Sequence, residues 1–440
     1  MNFNTLSPTS KMLKKLQSYS TGQPVTSGDV PNIAIINAAD VIESKKLVEN
    51  IVVGIKSSEG TAFVHNVPFF GYANKINPMT AKFAISFRES ARTNALAIIK
   101  TSMADGVVIV TDCDVTATGL LEGCLAANCP VVVLPLGVTG MQNFGLDGEC
   151  SGKPVVQVAG AITSGKLTVT KGDEILSREY MPKNQSSLFC LIEKLGFTLP
   201  EASTNKRGSG IQLTTALETG KAAVKRANEL RTLRKALTKV TWQEIVDHSL
   251  TSKYDIGGLY LLSKIFAAND VKITPEFLDE RAKKIGGVNI VRLTGTAVGG
   301  GTYVQYIDEK PAQFSGKAWV YQNLEEADRA LLGGKIPSGS VVVLHDCMGA
   351  DVSGFAFGIL GMGREKEIAI ATDGICDTTK VLTVMLSHPN SYENEEFANI
   401  QNGDVLEIDV VKGRFNTNVM AKEQKIRQKK NTVKKVQAHF

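Results

Sequence analysis

Short apolar runs alternate with helix-length amphipathic segments over the first third of the chain. The run Asn32–Ala38 (NIAIINA) precedes a segment in which Leu47, Ile51 and Ile55 recur at helical spacing. Similar strand-like and helix-like stretches follow in turn: 61–67, 86–104, Gly106–Thr111 and 130–135. Because short apolar strands joined by crossover helices form parallel sheets, this pattern predicts an α/β, doubly wound N-terminal domain. Such sheets bind ligands beyond the carboxyl ends of their strands.

The pattern of residue types changes twice further along the chain. Residues 185–285 are expected to be mostly helical, because stretches such as 214–236 are dense in Ala, Leu, Lys, Arg and Glu. From Gly287 onward short β-rich runs are punctuated by glycine: 288–293, 318–321, 340–345, Ile368–Thr372 and 405–410. This second pattern predicts a compact β-rich, barrel-like C-terminal domain.

A four-part organisation follows from these patterns. It consists of an N-terminal extension (1–30), an α/β domain with a helical segment (31–285), a β-rich domain (286–421) and a basic tail (422–440), with the main boundary near Gly286. The glycines of the segment TGTAVGGGT, residues 299–301, lack the spacing of a phosphate-binding loop. We therefore expect them to form a tight turn between two strands.

Composition limits the cellular location and the binding partners that we expect for this protein. The chain has 440 residues, and no apolar run approaches the roughly 18 residues that a membrane span requires. The start, MNFNTLSPTSKMLKKLQ, has no apolar core after its lysines, so no signal peptide is predicted. Seven cysteines without close pairing are typical of a reducing compartment. A cytoplasmic protein without a membrane partner is expected.

The net charge of +5 is concentrated near the end of the chain. The tail carries one acid, Glu423, against the basic residues Lys422, Lys425, Arg427, Lys429, Lys430, Lys434 and Lys435. A nucleic-acid surface would be expected to interleave aromatic residues with such a stripe, and here the only ring is Phe440. A solvated helical or frayed tail is favoured over nucleic-acid binding.

Three segments share a pattern that suggests chemistry. Each begins as an apolar strand and ends in acids and a cysteine: Asp112, Cys113 and Asp114; His345, Asp346 and Cys347; Asp373, Cys376 and Asp377. Side chains at strand ends project into clefts, and Cys, Asp and His are metal ligands. The spacing matches no compact metal motif, however. The alternative is three separate loops with helix-capping acids and part-buried cysteines, and the pattern by itself favours this alternative.

A family resemblance emerges from residues 87–135, FRESARTNALAIIKTSMADGVVIVTDCDVTATGLLEGCLAANCPVVVLP. This segment resembles the dihydroxy-acid and phosphogluconate dehydratases, in which an Arg-Glu-bearing helix, a strand, a Cys-Asp-Lys motif and a helix follow one another. The segments GKAWVYQNLEEADRALLGGKIPSGSVVVLHD, IAIATDG and IQNGDVLEIDVVKGRFNTNV also resemble that family. The resemblance covers about residues 30 to 425. The chain is shorter than typical members, through loss of an insertion before the β-rich domain.

The resemblance implies a dimeric enzyme that eliminates water from a hydroxy acid. In that family three cysteines hold an iron–sulfur cluster whose open iron position withdraws charge from the leaving hydroxyl. A magnesium ion, held by carboxylates and a carbamylated lysine, helps to bind the substrate, and a serine serves as the base. These two roles suit an elimination of water. A metal withdraws charge from the leaving oxygen, and a base removes a proton from the adjacent carbon.

The family's cluster and lysine positions are largely replaced in this chain. Cys113 and Asp114 match the Cys-Asp pair, but Val115 stands where the lysine is expected. The other two cluster cysteines should fall near Asp40 and Glu179. Valine cannot be carbamylated, and one cysteine does not hold a cluster in the family's manner.

The metal and substrate loops are replaced as well. The carboxylate expected before Phe83 falls near Met79, a poor ligand for magnesium. The serine expected after the Thr-Asp-Gly strand end falls at Asp377, and the Pro-Glu metal loop is shortened to DCMGADVSG. The Gly-Gly-Ser-Thr-Asn substrate motif is not recognisable in SKYDIGGLY. The iron–sulfur cluster and magnesium are therefore not expected to bind in the standard way.

Two hypotheses follow. In the first, the protein is a hydro-lyase relative with a rebuilt site, in which Asp377 acts as the base and Cys376, Cys113 or Cys347 forms a new metal or nucleophile site. Asp114 is then the candidate metal ligand. Further cleft candidates are Asp112, His345, Asp346 and Asp373. In the second, the protein is a non-catalytic homologue that binds a small hydroxy acid or acts in protein assembly. The resemblance implies a homodimer under either hypothesis.

Overall fold

The computed structural model describes most of the chain. The described residues are 30–70, 83–138, 154–177, 186–252, 256–272, 290–306, 313–345, 351–376, 379–386 and 395–428, with the single residues 12, 80, 254, 281 and 347. Within them the helices are α1 (Val41–Ser57), α2 (Ala84–Thr101), α3 (Asp114–Ala127), α4 (Pro154–Thr163), α5 (Val169–Ser177), α6 (Ser187–Lys194), α7 (Gly210–Glu229), α8 (Leu233–Ala236), α9 (Lys239–Thr251), α10 (Ile256–Ala267), α11 (Leu324–Leu332), α12 (Ser353–Met362), α13 (Glu395–Ala398) and α14 (421–428).

The N-terminal part is built on a four-stranded sheet. Its strands are β1 (Asn32–Ala38), β2 (Thr61–Asn66), β3 (Gly106–Thr111) and β4 (Val131–Pro135). They lie in the order β2-β1-β3-β4, and every neighbouring pair is parallel. All residues of β1, β3 and β4 are buried, as expected for parallel strands that are covered on both faces. The predicted parallel α/β sheet is confirmed.

Helices cover both faces of this sheet, because alternate strand residues point to opposite sides. Ile33 and Ile35 of β1 pack in one apolar cluster with Ile51 of α1 and Val224 of α7. Ile36 of β1 belongs to the cluster on the other face, which also contains residues of α2, α3, α6, α9 and α10. α1 follows β1 and α3 follows β3 directly, so both begin at the carboxyl edge of the sheet, where ligand sites of such sheets are expected.

The C-terminal part is a closed barrel, as the β-rich texture predicted. Its strands are β5 (Ile290–Gly295), β6 (Val298–Gln305), β7 (Gln313–Tyr321), β8 (Ser340–Leu344), β9 (Ile368–Thr372), β10 (Thr383–Leu386), β11 (Val405–Asp409) and β12 (Arg414–Thr417). They close in the order β10-β6-β5-β12-β11-β7-β8-β9. The pairs β5–β12, β7–β8, β8–β9 and β9–β10 are parallel, and the other four neighbouring pairs are antiparallel. Apolar side chains from these strands, among them Leu293, Val343 and Phe415, form a shared core.

The prediction for the glycines of residues 299–301 is wrong. They lie inside β6, not in a turn. Gly295 pairs with Val298, so the hairpin closes over residues 296 and 297, and no further turn residues are needed. The predicted domain boundary near Gly286 lies outside the described residues.

The start of the basic tail is anchored, which differs in part from the solvated tail expected. Residues 421–428 are helical and Lys422 and Lys425 are exposed, but Arg427 is not. Its Nη1 donates to Oδ2 of Asp404 at 2.7 Å, and the side chains of this pair are 13% and 10% exposed. The helix is thus tied to the loop before β11. Among the described residues, no helix is both long enough and apolar enough to cross a membrane.

Candidate functional site

The sheet domain and the barrel meet in one apolar cluster, which we call the junction cluster. It is formed by Phe70, Ala84, Cys113, Val115, Leu324, Ala327, Ala330, Leu331, Ile336, Val342, Leu344, Cys347, Val352, Phe355, Ala356, Ile359, Ile368, Ile370, Cys376, Val381 and Met385. The cysteines of all three strand ends belong to it, with exposures of 3% (Cys113), 7% (Cys347) and 1% (Cys376). The pattern favours three separate loops, and the fold places the cysteines of all three in the same apolar cluster without grouping them as ligands of one metal ion.

The first strand end follows β3 and leads into α3. Asp112 accepts from Nη2 of Arg207 at 3.1 Å, and their side chains are 21% and 19% exposed. Asp114, in the first turn of α3, accepts from the hydroxyl of Ser186 at 2.6 Å. Ser186 is also the N-cap of α6 and accepts from the N–H of Phe189. Both acids are therefore bound by groups of this chain.

The second and third strand ends, after β8 and β9, are tied to each other. The N–H of Cys347 donates to Oδ1 of Asp373 at 2.9 Å, and Asp373 is 1% exposed. The ring of His345 packs against that of Phe397, with the centroids 4.9 Å apart. The backbone N–H of His345 donates to the carbonyl of Tyr321. The sulfur of Cys376 lies 4.0 Å from the Thr383 hydroxyl.

The remaining two candidates, Asp346 and Asp377, lie outside the described residues. Their proposed roles stay predictions.

A cavity of about 590 Å³ opens at the carboxyl ends of β1 and β2. Its lining is mostly apolar, including Ile42, Phe69 and Phe87, with Asp40 and Asn66 as polar residues. This volume is in the range of small-molecule sites. Phe87 also packs on the junction cluster, with its ring centroid 5.1 Å from that of Phe70.

No sequence motif marks this cavity, although one polar residue in an apolar strand is a weak signal for it. Asn37 is a buried amide within the otherwise apolar end of β1, and its Nδ2 donates to Oδ1 of Asn66 at 2.9 Å. A polar residue in a fully buried strand requires a partner, and here the partner is at the end of the neighbouring strand. Arg207 was missed too, and no local motif marks it.

The cysteines away from the junction have a structural role. Cys124 of α3 and Cys129 lie in the core between the sheet and its helices, with 0% and 2% exposure. Burial raises the pKa of the Cys129 thiol to about 12 and also raises that of Cys124. Thiols held in the protonated form are poor nucleophiles and poor metal ligands.

The side chains at the family's cofactor positions do not fit an iron–sulfur cluster with magnesium. Val115, at the lysine position, is 6% exposed within the junction cluster. Asp40, near a cluster-cysteine position, accepts from the N–H of Ile42 at 2.8 Å and so caps α1. Within the described part of the chain, no three His, Cys, Asp or Glu side chains are grouped closely enough to hold a metal ion. We therefore derive no step through these cofactors.

A buried carboxyl on α11 gives a pH-dependent prediction. Burial raises the pKa of Asp328 to about 6, and its Oδ1 has no hydrogen-bond partner among the described residues. Because the folded-state pKa exceeds the unfolded one, Asp328 favours folding below about pH 4, and this contribution is lost as the pH rises through 6. The Asp328 carboxyl is partly exposed to solvent, which reduces the cost of its charge. We therefore expect Asp328→Asn to raise the free energy of unfolding by about 1 kcal/mol at pH 7.5.

This is measured by urea unfolding at pH 4.5 and pH 7.5. The increase in the free energy of unfolding caused by Asp328→Asn should be smaller at pH 4.5 than at pH 7.5. Glu326→Gln, at an exposed position of the same helix, is the control and should not change the pH dependence. Equal gains for Asp328→Asn at both pH values would contradict the prediction.

Comparison with known proteins agrees with the resemblance. The chain matches the family models described as dihydroxy-acid/6-phosphogluconate dehydratase N-terminal, over residues 31–253, and C-terminal, over residues 277–440. The dihydroxy-acid dehydratase of Pyrococcus furiosus is 22% identical over an alignment 485 positions long. The alignment covers 88% of this chain and 86% of that protein. Those of Caldanaerobacter subterraneus and Methanococcus maripaludis are each 22% identical, and the matches cover 88% of this chain and 85% and 87% of those proteins.

Proposed function

We propose that this chain, which belongs to the dihydroxy-acid/6-phosphogluconate dehydratase family, is a diverged member whose remodelled site binds a small hydroxy or dihydroxy acid without the iron–sulfur and magnesium chemistry. One observation carries this proposal. Cys113, Cys347 and Cys376 belong to the same junction cluster, while the acids beside them are bound by the chain's own groups. This arrangement supports a site at the same edge of the sheet with changed donors.

The position of the site supports ligand binding. Open parallel sheets bind ligands beyond the carboxyl ends of their strands, and the cavity beside Asp40 and Asn66 lies at that edge. The helices α1, α3 and α7 also begin there, since each follows or packs against these strands.

The changed donors argue against the inherited mechanism. Asp114 is bound to Ser186, and Val115 is buried among apolar side chains, so neither supplies a magnesium ligand in the family's manner. Asp373 accepts from the Cys347 N–H and thereby fixes the loop after β8. These contacts stabilise the loops that follow β3 and β8.

A rebuilt hydro-lyase is the second candidate, favoured by the presence of the three cysteines in one cluster. In this candidate Asp377 takes the proton from the carbon next to the carboxylate, in the role of the family's serine. Cys376, together with Cys113 or Cys347, then supplies a new metal or nucleophile site.

One experiment separates the candidates. The full chain is purified without air, its iron, sulfide, zinc and magnesium are measured, and 2,3-dihydroxybutanoate and 6-phosphogluconate are titrated by calorimetry. Formation of a 2-oxo acid is assayed in parallel. We expect an acid to bind, with neither stoichiometric iron and sulfide nor product. Stoichiometric iron and sulfide with turnover would refute the proposal. Turnover without a cluster, abolished by Asp377→Asn or Cys376→Ser, would favour the second candidate.

We also propose a homodimer, which the resemblance implies, with domains at 31–285 and 286–421. Light scattering of the full chain should give twice the mass of 47.3 kDa. A monomer at micromolar concentration would refute the dimer.

A further inference from the structure

Two asparagines pair at the carboxyl ends of β1 and β2. Asn37 and Asn66 are partners in the parallel ladder, and Nδ2 of Asn37 donates to Oδ1 of Asn66 at 2.9 Å. Asn37 is 2% exposed, whereas Asn66 is exposed and lines the cavity at this edge of the sheet. The pair therefore joins a buried amide of the sheet to a side chain that a ligand in the cavity can contact.

The bond to Asn37 determines how the Asn66 amide is oriented. An amide carries its carbonyl oxygen and its NH2 group on different sides, so holding the oxygen at Asn37 turns the two N–H groups of Asn66 away from it. Nδ2 of Asn66 donates to no acceptor among the described residues. A fixed amide donor is thus available at the cavity, as pre-organised recognition of a ligand requires.

Stability does not explain why β1 contains Asn37. Its Oδ1 is buried and has no hydrogen-bond partner within the described part of the chain, and an unpaired buried acceptor lowers stability. The strand residues Ile33, Ile35 and Ile36 show that aliphatic side chains fit this strand. A residue that lowers stability is expected where it serves a site, and here it orients Asn66.

The rest of the lining determines which ligand suits the cavity. Its volume is about 590 Å³, and Phe69 and Phe87 line it together with Val41 and Ile42, which are 54% and 88% exposed. An exposed apolar wall of this kind favours an aliphatic group. Among the described residues, the charged side chain in the lining is that of Asp40, and no Lys or Arg contributes. A phosphate would therefore lose hydration there without gaining a cationic partner.

We propose that Asn66 binds the carboxylate of a short aliphatic hydroxy acid through Nδ2, and that Asn37 positions Asn66. This inference rests on the proposed function and narrows its ligand: the acid carries an alkyl group, which packs on Val41, Ile42 and Phe87, and carries no phosphate. Phosphorylated sugar acids such as 6-phosphogluconate are excluded from this cavity. Asn66 is a binding residue and Asn37 a positioning residue, and no bond is made or broken at either.

A homologous series of ligands tests the apolar part of the proposal. Calorimetry of the full chain compares 2,3-dihydroxypropanoate, 2,3-dihydroxybutanoate and 2,3-dihydroxypentanoate, and 6-phosphogluconate should not bind at the same concentrations. Affinity should rise about four-fold with each added carbon, the factor expected for one buried methylene. Ile42→Ser, at the exposed wall of the cavity, should reduce this increase. Val53→Ser is the control, because Val53 is an exposed residue of the same helix that does not line the cavity.

Variants of the two asparagines test the amide. Asn66→Ala should bind 2,3-dihydroxybutanoate roughly ten-fold more weakly, because a hydrogen bond to a charged oxygen is lost. Asn37→Val should weaken binding about three-fold or more, yet its melting temperature should equal or exceed that of the wild type, because an unpaired buried oxygen is removed. Val64→Ala, at an exposed position of β2 outside the cavity, is the control and should bind like the wild type.

Thermal unfolding of each variant and binding to the wild type separate the possible failures. Wild-type affinity in Asn66→Ala, or an affinity that does not rise with chain length, would overturn this inference and leave the proposed function standing. A lowered melting temperature in Asn37→Val with unchanged affinity would show that Asn37 is only structural, and would overturn its positioning role. Failure of the wild type to bind any acid would refute the proposed function together with this inference.

Discussion

Replacing Gly119 by alanine is expected to lower the free energy of unfolding by about 3 kcal/mol. Gly119 lies in α3, where this helix crosses α2, and an added Cβ would overlap the carbonyl oxygen of Arg88 and lie 3.0 Å from the Cβ of Ala91. A backbone carbonyl inside a helix cannot rotate away, so the two helices must separate. Because α3 begins at Asp114, its displacement should also weaken binding at the carboxyl edge.

Gly210 supplies a matched control for this substitution. It is the first residue of α7, and a Cβ there would meet nothing within 4 Å. Gly210→Ala should leave stability unchanged or raise it slightly, by about 0.5 kcal/mol, because alanine has less freedom in the unfolded chain. Urea unfolding followed by circular dichroism measures both variants. Similar values for the two variants would show that α2 and α3 can adjust to the added methyl group.

Truncating Phe355 to alanine is expected to cost about 3–5 kcal/mol, the range for aromatic residues in well-packed cores. Phe355 of α12 is 0% exposed and belongs to the junction cluster with Cys113 and Cys376. Its loss leaves a cavity between the sheet domain and the barrel. We therefore expect the two thiols to be alkylated faster by iodoacetamide than in the wild type, as mass spectrometry would measure.

Phe83→Ala is the control, since this side chain is 48% exposed. It removes the same atoms and should cost less than 1 kcal/mol, with no change in thiol labelling. Cys124 should remain unlabelled in both variants while the chain is folded, because it lies in a different core cluster. Fast labelling of Cys124 in Phe355→Ala would indicate global unfolding and not a local opening of the junction.

The elements that the sequence predicted best are those with uniform surroundings. The runs at β1, β3 and β9 coincide with the observed strands, because a strand that is buried on both faces must be apolar along its whole length. The stretch 214–236 fitted less well, since it spans two helices. The break is at Leu230, whose φ of 51° ends α7. A left-handed residue other than glycine leaves no clear mark in the sequence.

The candidate site divides in the same way. Local sequence was enough to find the acid- and cysteine-bearing strand ends and the substitutions at Val115 and Met79, since each is read from one segment and its resemblance to a family. It was not enough to show that Cys113 and Cys376 share a cluster. This shared cluster forms only when the barrel packs on the sheet.

By itself, then, the sequence determined the fold class and most of the strands, because burial acts on single residues and on short sequence periods. Only the tertiary structure decided which strand ends converge and which cation reaches Asp112. Contacts between residues 95 positions apart depend on the path of the whole chain, and no local pattern encodes that path.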